Sequence, residues 1–164
     1  MTGDAVSAGV SLLDQNRVNE ALACFESADD RSAWFGRAVA LHLLGRLDEA
    51  EVAYLRVMEQ MPNEEALANL VALAVEKFDL ERVERYSRKL VEINAEATIG
   101  WQGLLVVAVE RRDYESAAAY LARVESRSAI KDESAIQYRL SGNLADRLRA
   151  ELQRGRNGAL ARSR

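Results

Sequence analysis

Few side chains in this sequence could carry out acid–base or metal chemistry. His42 is the only histidine and Cys24 the only cysteine, so neither a multi-histidine site nor a cysteine-based metal cluster can be assembled. His42 could act as a base, but it stands between two leucines, where a histidine more often packs or lines a groove. Cys24 lies beside Phe25 in a helical pattern, which favours a small buried hydrophobe.

The pairs of acidic residues also have a simpler explanation than catalysis. Asp29 and Asp30, like Glu64 and Glu65, lie where apolar-periodic segments begin, and carboxylates at such positions favour the helix dipole. The sequence contains no phosphate-binding glycine loop and no dinucleotide fingerprint. We therefore expect no enzyme, and neither a bound cofactor nor a metal.

Composition and charge favour a helical protein with an acidic body. The chain has 164 residues with 9 glycines and a single proline, and this scarcity of helix breakers argues against a many-stranded fold. Residues 152–164 hold four arginines and no acid, so the remainder carries 18 basic and 26 acidic side chains, a net charge of −8. An acidic body disfavours nucleic acid as a ligand, and residues 154–164 are predicted to form a basic flexible tail. Since neither a signal peptide nor a membrane span is visible, a cytoplasmic protein is expected.

The strongest pattern is an internal repeat. Four segments share a turn-like start, an apolar residue two positions on and a small residue at the end: residues 16–21, 45–50, 78–83 and 112–117. The small residues are Ala21, Ala50, Val83 and Ala117, at spacings of 29, 33 and 34. Trp34 and Trp101 stand 67 residues apart, the sum of the last two spacings. Because they recur at the repeat period, packing is a better explanation for them than stacking on nucleic-acid bases.

Apolar residues around each segment recur at i, i+3, i+4 and i+7, which predicts amphipathic helices in pairs. The predicted helices cover residues 3–15 and 19–29, 31–44 and 48–61, 64–77 and 80–93, and 97–111 and 114–126, with a ninth over 132–153. Asn63, Asp79 and Asp113 lie where helices should begin and are predicted to cap them. Pro62 follows a helix that it cannot continue.

These residues resemble the tetratricopeptide repeat, with the second unit as the best match. In that unit Trp34, Ala38, Leu41, Gly45, Ala50, Tyr54 and Pro62 are in register. The resemblance implies an all-α, right-handed superhelical α-solenoid in a single domain over 1–153. Its four helix-turn-helix units would cover residues 2–30, 31–63, 64–97 and 98–128, closed by a capping helix over 132–153. Departures from the pattern are Arg37 for leucine, Val71 and Leu105 for a small residue, and Ser87 for an aromatic.

In this family the first helix of each pair lines a concave face, so the resemblance implies a groove for a protein partner. The implied groove residues are Val10, Phe35, Val39, His42, Asn69, Ala72, Val75, Gln102, Val106 and Val109. Such a mostly apolar trough suits an apolar or amphipathic helix or peptide. The chaperone-tail carboxylates that some members bind are disfavoured, because Phe35, Val39, Ile99 and Gly103 occupy the positions of the gripping residues.

The resemblance thus implies an interaction module: an adaptor, a scaffold or a chaperone-like holder. Two alternatives remain open at this point. The groove positions could belong to an ordinary core, or the same apolar surfaces could join copies of the chain into a homo-oligomer.

Overall fold

The computed structural model describes residues 2–60 and 62–128, and within these residues the chain forms eight α-helices and no strand. The helices are α1 (Thr2–Asp14), α2 (Val18–Glu26), α3 (Arg31–Leu43), α4 (Leu47–Gln60), α5 (Glu64–Glu76), α6 (Leu80–Ile93), α7 (Thr98–Glu110) and α8 (Tyr114–Ser128). The all-α prediction is confirmed. The predicted helix over 132–153 and the predicted tail over 154–164 lie outside the described residues.

Seven predicted helices agree with the observed ones to within two residues at each end, and α2 ends three residues early. The Oδ1 atoms of Asn63 and Asp113 accept hydrogen bonds from the backbone amides of Ala66 and Ser116, at 2.7 and 3.2 Å, so these two predicted caps are confirmed. Asp79 as a cap stays a prediction. None of the described helices has both the length and the apolar character needed to cross a membrane.

The chain folds as two compact units, with the boundary between Asp79 and Leu80. Unit 1 contains α1–α5, in which each helix packs against the next and α1 also contacts α3. In unit 2, α7 packs against both α6 and α8. The boundary falls at the turn between α5 and α6, inside the third predicted repeat unit.

The core of unit 1 is organised around the Phe25 ring, which α2 inserts against α1 and α3. Phe25 is fully buried. A Cβ atom built on Gly9 would lie 2.5 Å from Phe25 Cε1, and one built on Gly36 would lie 2.4 Å from the same atom. Because carbon atoms do not approach so closely, both positions require glycine as long as the ring stays in place.

We predict that Gly36→Ala lowers the free energy of unfolding by about 1–3 kcal/mol, the usual cost of overpacking a well-filled core. Gly3→Ala is the matched control, because no atom lies within 4 Å of a Cβ there and alanine is the better helix former. Urea denaturation followed by circular dichroism measures both variants. Equal stability of the two variants would contradict the proposed contact.

The first helix of each pair ends in the same left-handed turn. Asn16, Gly45, Phe78 and Arg112 have φ values of 59°, 73°, 54° and 59°. At Gly45 the backbone amide donates to the His42 carbonyl, and the next amide donates to the Leu41 carbonyl, both at 2.9 Å. These two backbone hydrogen bonds form the Schellman motif, which favours glycine at the left-handed position. Only one of the four described turns therefore has the residue that adopts this conformation without steric cost.

We predict that Phe78→Gly raises the free energy of unfolding by about 1 kcal/mol, since a left-handed side-chain residue costs roughly 1–2 kcal/mol. The phenyl ring is 64% exposed, so little packing is lost. Gly45→Ala, the reverse change at the equivalent position, should lower stability by a similar amount. Thermal and urea unfolding test the pair, and a Phe78→Gly variant less stable than the parent would show that the ring makes stabilising contacts.

In unit 2 the equivalent of the Phe25 position is Ser87, which is fully buried on α6. Its Oγ has no hydrogen-bond partner within the described residues. Opposite it, a Cβ on Gly100 of α7 would lie 2.7 Å from Val91 Cγ1 and 3.3 Å from the Ser87 carbonyl oxygen. A small residue on each helix thus lets α6 and α7 approach closely where unit 1 uses an aromatic ring.

We predict that Ser87→Ala raises the free energy of unfolding by about 1 kcal/mol, because a buried hydroxyl without a partner carries a desolvation cost that the methyl group lacks. The control is Ser126→Ala on α8, whose exposed hydroxyl donates to the Arg123 carbonyl and whose removal should have little effect. The measurement is the urea midpoint of each variant. A destabilised Ser87→Ala would mean that the hydroxyl is satisfied in solution.

Candidate functional site

Helix α3 presents a mixed aromatic and aliphatic stripe. Asp30 fixes the start of the helix, because its Oδ1 accepts the Ala33 amide at 2.9 Å. Phe35, Val39 and His42 then follow at i, i+4 and i+7, which places them on one face. All three are half-buried. The predicted groove residues of α3 therefore keep part of their surface accessible.

The buried ring of Tyr54, on α4, packs against this stripe. It is 1% exposed and makes edge contacts with Phe35 and His42, at ring-centre distances of 6.0 and 6.2 Å. Burial, followed by the charges of Glu65 and Glu76, raises the pKa of the Tyr54 hydroxyl well above its usual range. The phenol therefore stays neutral and acts as packing beneath the stripe.

Helix α5 supplies the facing stripe. Nε2 of His42 lies 3.3 Å from Oε1 of Glu76, and this contact joins the last turns of α3 and α5. Val75 is half-buried, whereas Ala72 and Asn69 are 3% and 8% exposed. The stripe on α3 is therefore more exposed to solvent than the stripe on α5. We call this surface the α3–α5 face: Phe35, Val39, His42, Asn69, Ala72 and Val75.

Asn69 is the unusual member of the α3–α5 face. Its Nδ2 is buried and has no hydrogen-bond partner in the part of the chain that the structure describes. Buried amide donors are almost always paired in native proteins.

An ion-pair network lies at the end of α5. Nζ of Lys77 is 2.6 Å from Oδ1 of Asp48 and 3.1 Å from Oε2 of the buried Glu51. Hydrogen bonds to Asp48 and then to Glu51 raise the pKa of Lys77. The network ties the end of α5 to α4 and commits the Lys77 charge to these two carboxylates.

The remaining predicted groove residues differ in exposure. Val10 of α1 is 49% exposed, and Gln102 of α7 is half-buried. Val106 and Val109 of α7 are only 8% exposed each, and Val109 packs in the α7–α8 core with Leu105. The prediction treated both valines as groove lining, but the burial of α7 around them leaves little surface for a partner.

Trp34 was predicted as a packing residue and is half-buried. The guanidinium carbons of Arg37 and Arg56 lie 4.2 and 3.9 Å from the centre of its ring, a distance typical of cation–π stacking. Its indole N–H donates to Oδ1 of Asp29 at 2.6 Å. This stacking explains why Arg37 is tolerated where the repeat pattern has leucine.

Sequence reasoning missed Glu65 and Glu76 as neighbours of the α3–α5 face. The signal was present, because residues 65, 69, 72 and 76 follow the i, i+4, i+7, i+11 spacing of one helix face. Within the described residues, no group of three potential ligands is placed to hold a metal ion.

Comparison with known proteins identifies the fold. No family model matches the sequence, and no curated protein matches it significantly. Among solved structures, 36 chains match, and those described below are tetratricopeptide repeat proteins or assemblies with the same fold. The chain therefore has the tetratricopeptide repeat fold, as the sequence pattern predicted.

Three of these structures show the extent of the similarity. YrrB, a tetratricopeptide repeat protein with an unusual peptide-binding site, shares 18% identity at a TM-score of 0.67, over 75% of this chain and 66% of that chain. A tetratricopeptide repeat protein from Parabacteroides merdae shares 18% sequence identity at a TM-score of 0.73, over 95% of this chain and 62% of that chain. The Cut9-Hcn1 hetero-tetramer of the APC/C shares 17% sequence identity at a TM-score of 0.69, over 80% of this chain and 26% of that chain. This chain thus spans 66%, 62% and 26% of these three chains.

Proposed function

We propose that this protein is an interaction module that binds an apolar or amphipathic segment of another protein on the α3–α5 face. The observation that carries the proposal is the stripe of Phe35, Val39 and His42 on α3, whose side chains are only half-buried. An accessible apolar stripe along one helix face is suited to an apolar or amphipathic peptide.

Each part of the face has a distinct role in this proposal. Phe35 and Val39 bury the apolar side chains of the ligand. Tyr54 and the His42–Glu76 contact hold the α3 stripe in position before the ligand arrives, so less ordering is required on binding.

The comparison with YrrB supports a peptide as the class of ligand, because that structure is described by its peptide-binding site. The identity of 18% carries no information about the partner itself. Adaptor, scaffold and chaperone-like holder all fit such a face. Self-association through the same face is the alternative function, and the experiment below separates the two.

We predict that Val39→Glu abolishes partner capture from a lysate of the source organism by the full chain, identified by mass spectrometry, because it places a carboxylate in the middle of the apolar stripe. The loss of affinity for a captured partner should be at least about tenfold. Val52→Glu is the matched control, since Val52 lies on α4 and is 65% exposed. Val106→Glu is unsuitable, because the new charge would be buried in unit 2.

The outcomes separate the proposals if circular dichroism shows both variants to be folded. Prey lost by Val39→Glu and kept by Val52→Glu supports the interaction module. A parent that light scattering shows to be oligomeric, with only Val39→Glu monomeric, supports self-association instead. Equal capture by all three proteins would show that the α3–α5 face is not the working surface.

A further inference from the structure

The excess of negative charge in the chain lies in unit 1. Residues 1–79 contain six lysines and arginines and fourteen aspartates and glutamates, a net charge of −8, whereas residues 80–164 carry a net charge of +4. The α3–α5 face thus belongs to the acidic part of the chain. A surface with one sign of charge attracts ligands of the opposite sign and repels those of its own.

Two of these carboxylates lie on the same stripe of α5 as the binding face. Glu65, Asn69, Ala72 and Glu76 follow one another at i, i+4, i+7 and i+11, so the two glutamates bracket the orphan amide along one helix face. At 1.5 Å per residue they are about 16 Å apart. Both lie close enough to Tyr54 to raise the pKa of its hydroxyl, which places their charges beside the aromatic cluster.

Five of the six cationic side chains of unit 1 contact groups outside the α3–α5 face. Three form ion pairs near the turns, and two stack on Trp34: Arg17 with Glu20, Arg46 with Glu49, Lys77 with Asp48 and Glu51, and Arg37 and Arg56 on the indole ring. The sixth, Arg31, is the first residue of α3, next to the capping Asp30. None of these contacts involves Glu65 or Glu76.

We propose that the partner of the α3–α5 face is a basic amphipathic segment, whose apolar side chains contact Phe35 and Val39 and whose lysines or arginines pair with Glu65 and Glu76. This inference rests on the proposed function and specifies its ligand. A separation of about 16 Å corresponds to three turns of a helical ligand. Cations at both ends of an apolar helical stripe therefore match the face in either direction of binding.

The test uses three fluorescein-labelled synthetic peptides with the full chain. All share one helix-forming sequence with a leucine stripe and differ only at two positions eleven residues apart, which hold lysine, glutamine or glutamate. Fluorescence anisotropy should show that the lysine peptide binds about fivefold more tightly than the glutamine peptide, and that the glutamate peptide binds most weakly. The preference should shrink as salt rises toward 1 M, because exposed ion pairs are screened.

The double variant Glu65→Gln/Glu76→Gln should bind the lysine and glutamine peptides with equal affinity, because any loosening of the His42–Glu76 contact affects both peptides alike. The matched control Glu26→Gln/Glu59→Gln changes the net charge by the same amount at exposed positions on α2 and α4 and should keep the preference. A preference that survives in the first variant, or equal binding of all three peptides by the parent, overturns the inference and leaves the proposed function standing. If none of the peptides binds, the proposed function fails with it.

Discussion

The Phe25 ring touches two backbones at once, and this contact determines where α3 lies in unit 1. Glycine at positions 9 and 36 removes the atoms that would push α1 and α3 away from the ring. The position of α3 in turn fixes the direction of its outer stripe, and with it the face that carries Phe35 and Val39. The proposed binding surface therefore depends on the buried contact of Phe25, since a shift of α3 would move the whole stripe.

The helices could be predicted from the sequence because the apolar periodicity and the capping residues indicate the same ends for most of them. Helix α5 is the clearest case, with Asn63 as its cap and an apolar run behind it. Helix α2 ends at Glu26, earlier than its apolar pattern indicated. The reason lies in the next helix, because the Asp30 cap has an extended backbone with φ −114° and ψ 170°, and the chain must leave the helix before it. The left-handed turn at Phe78 could not be predicted from the residue type, because phenylalanine rarely adopts a positive φ.

The candidate site was predictable only where a helix has two distinct sides. Helix α3 alternates apolar and small residues with a clear outer stripe, and its predicted members are half-buried as expected for a groove. Helix α7 is buried continuously from Gly103 to Val109, so its sequence carries no polar position to distinguish groove from core. Exposure there depends on what packs around the helix, which a helical pattern does not contain. Val106 and Val109 as groove residues therefore stay a prediction, with only 8% of each exposed.

In the proposed complex, charge would give the α3–α5 face a selectivity that its apolar stripe lacks. Apolar contact is non-directional and would accept many amphipathic segments. Glu65 and Glu76 add like-charge repulsion against an acidic ligand, and repulsion discriminates between ligands even where an exposed ion pair adds little affinity. The contact between His42 and Glu76 serves two purposes, because it both joins α3 to α5 and holds one of these carboxylates at the edge of the stripe. The contact that joins α3 to α5 thus also positions a charge that, in our proposal, selects the ligand.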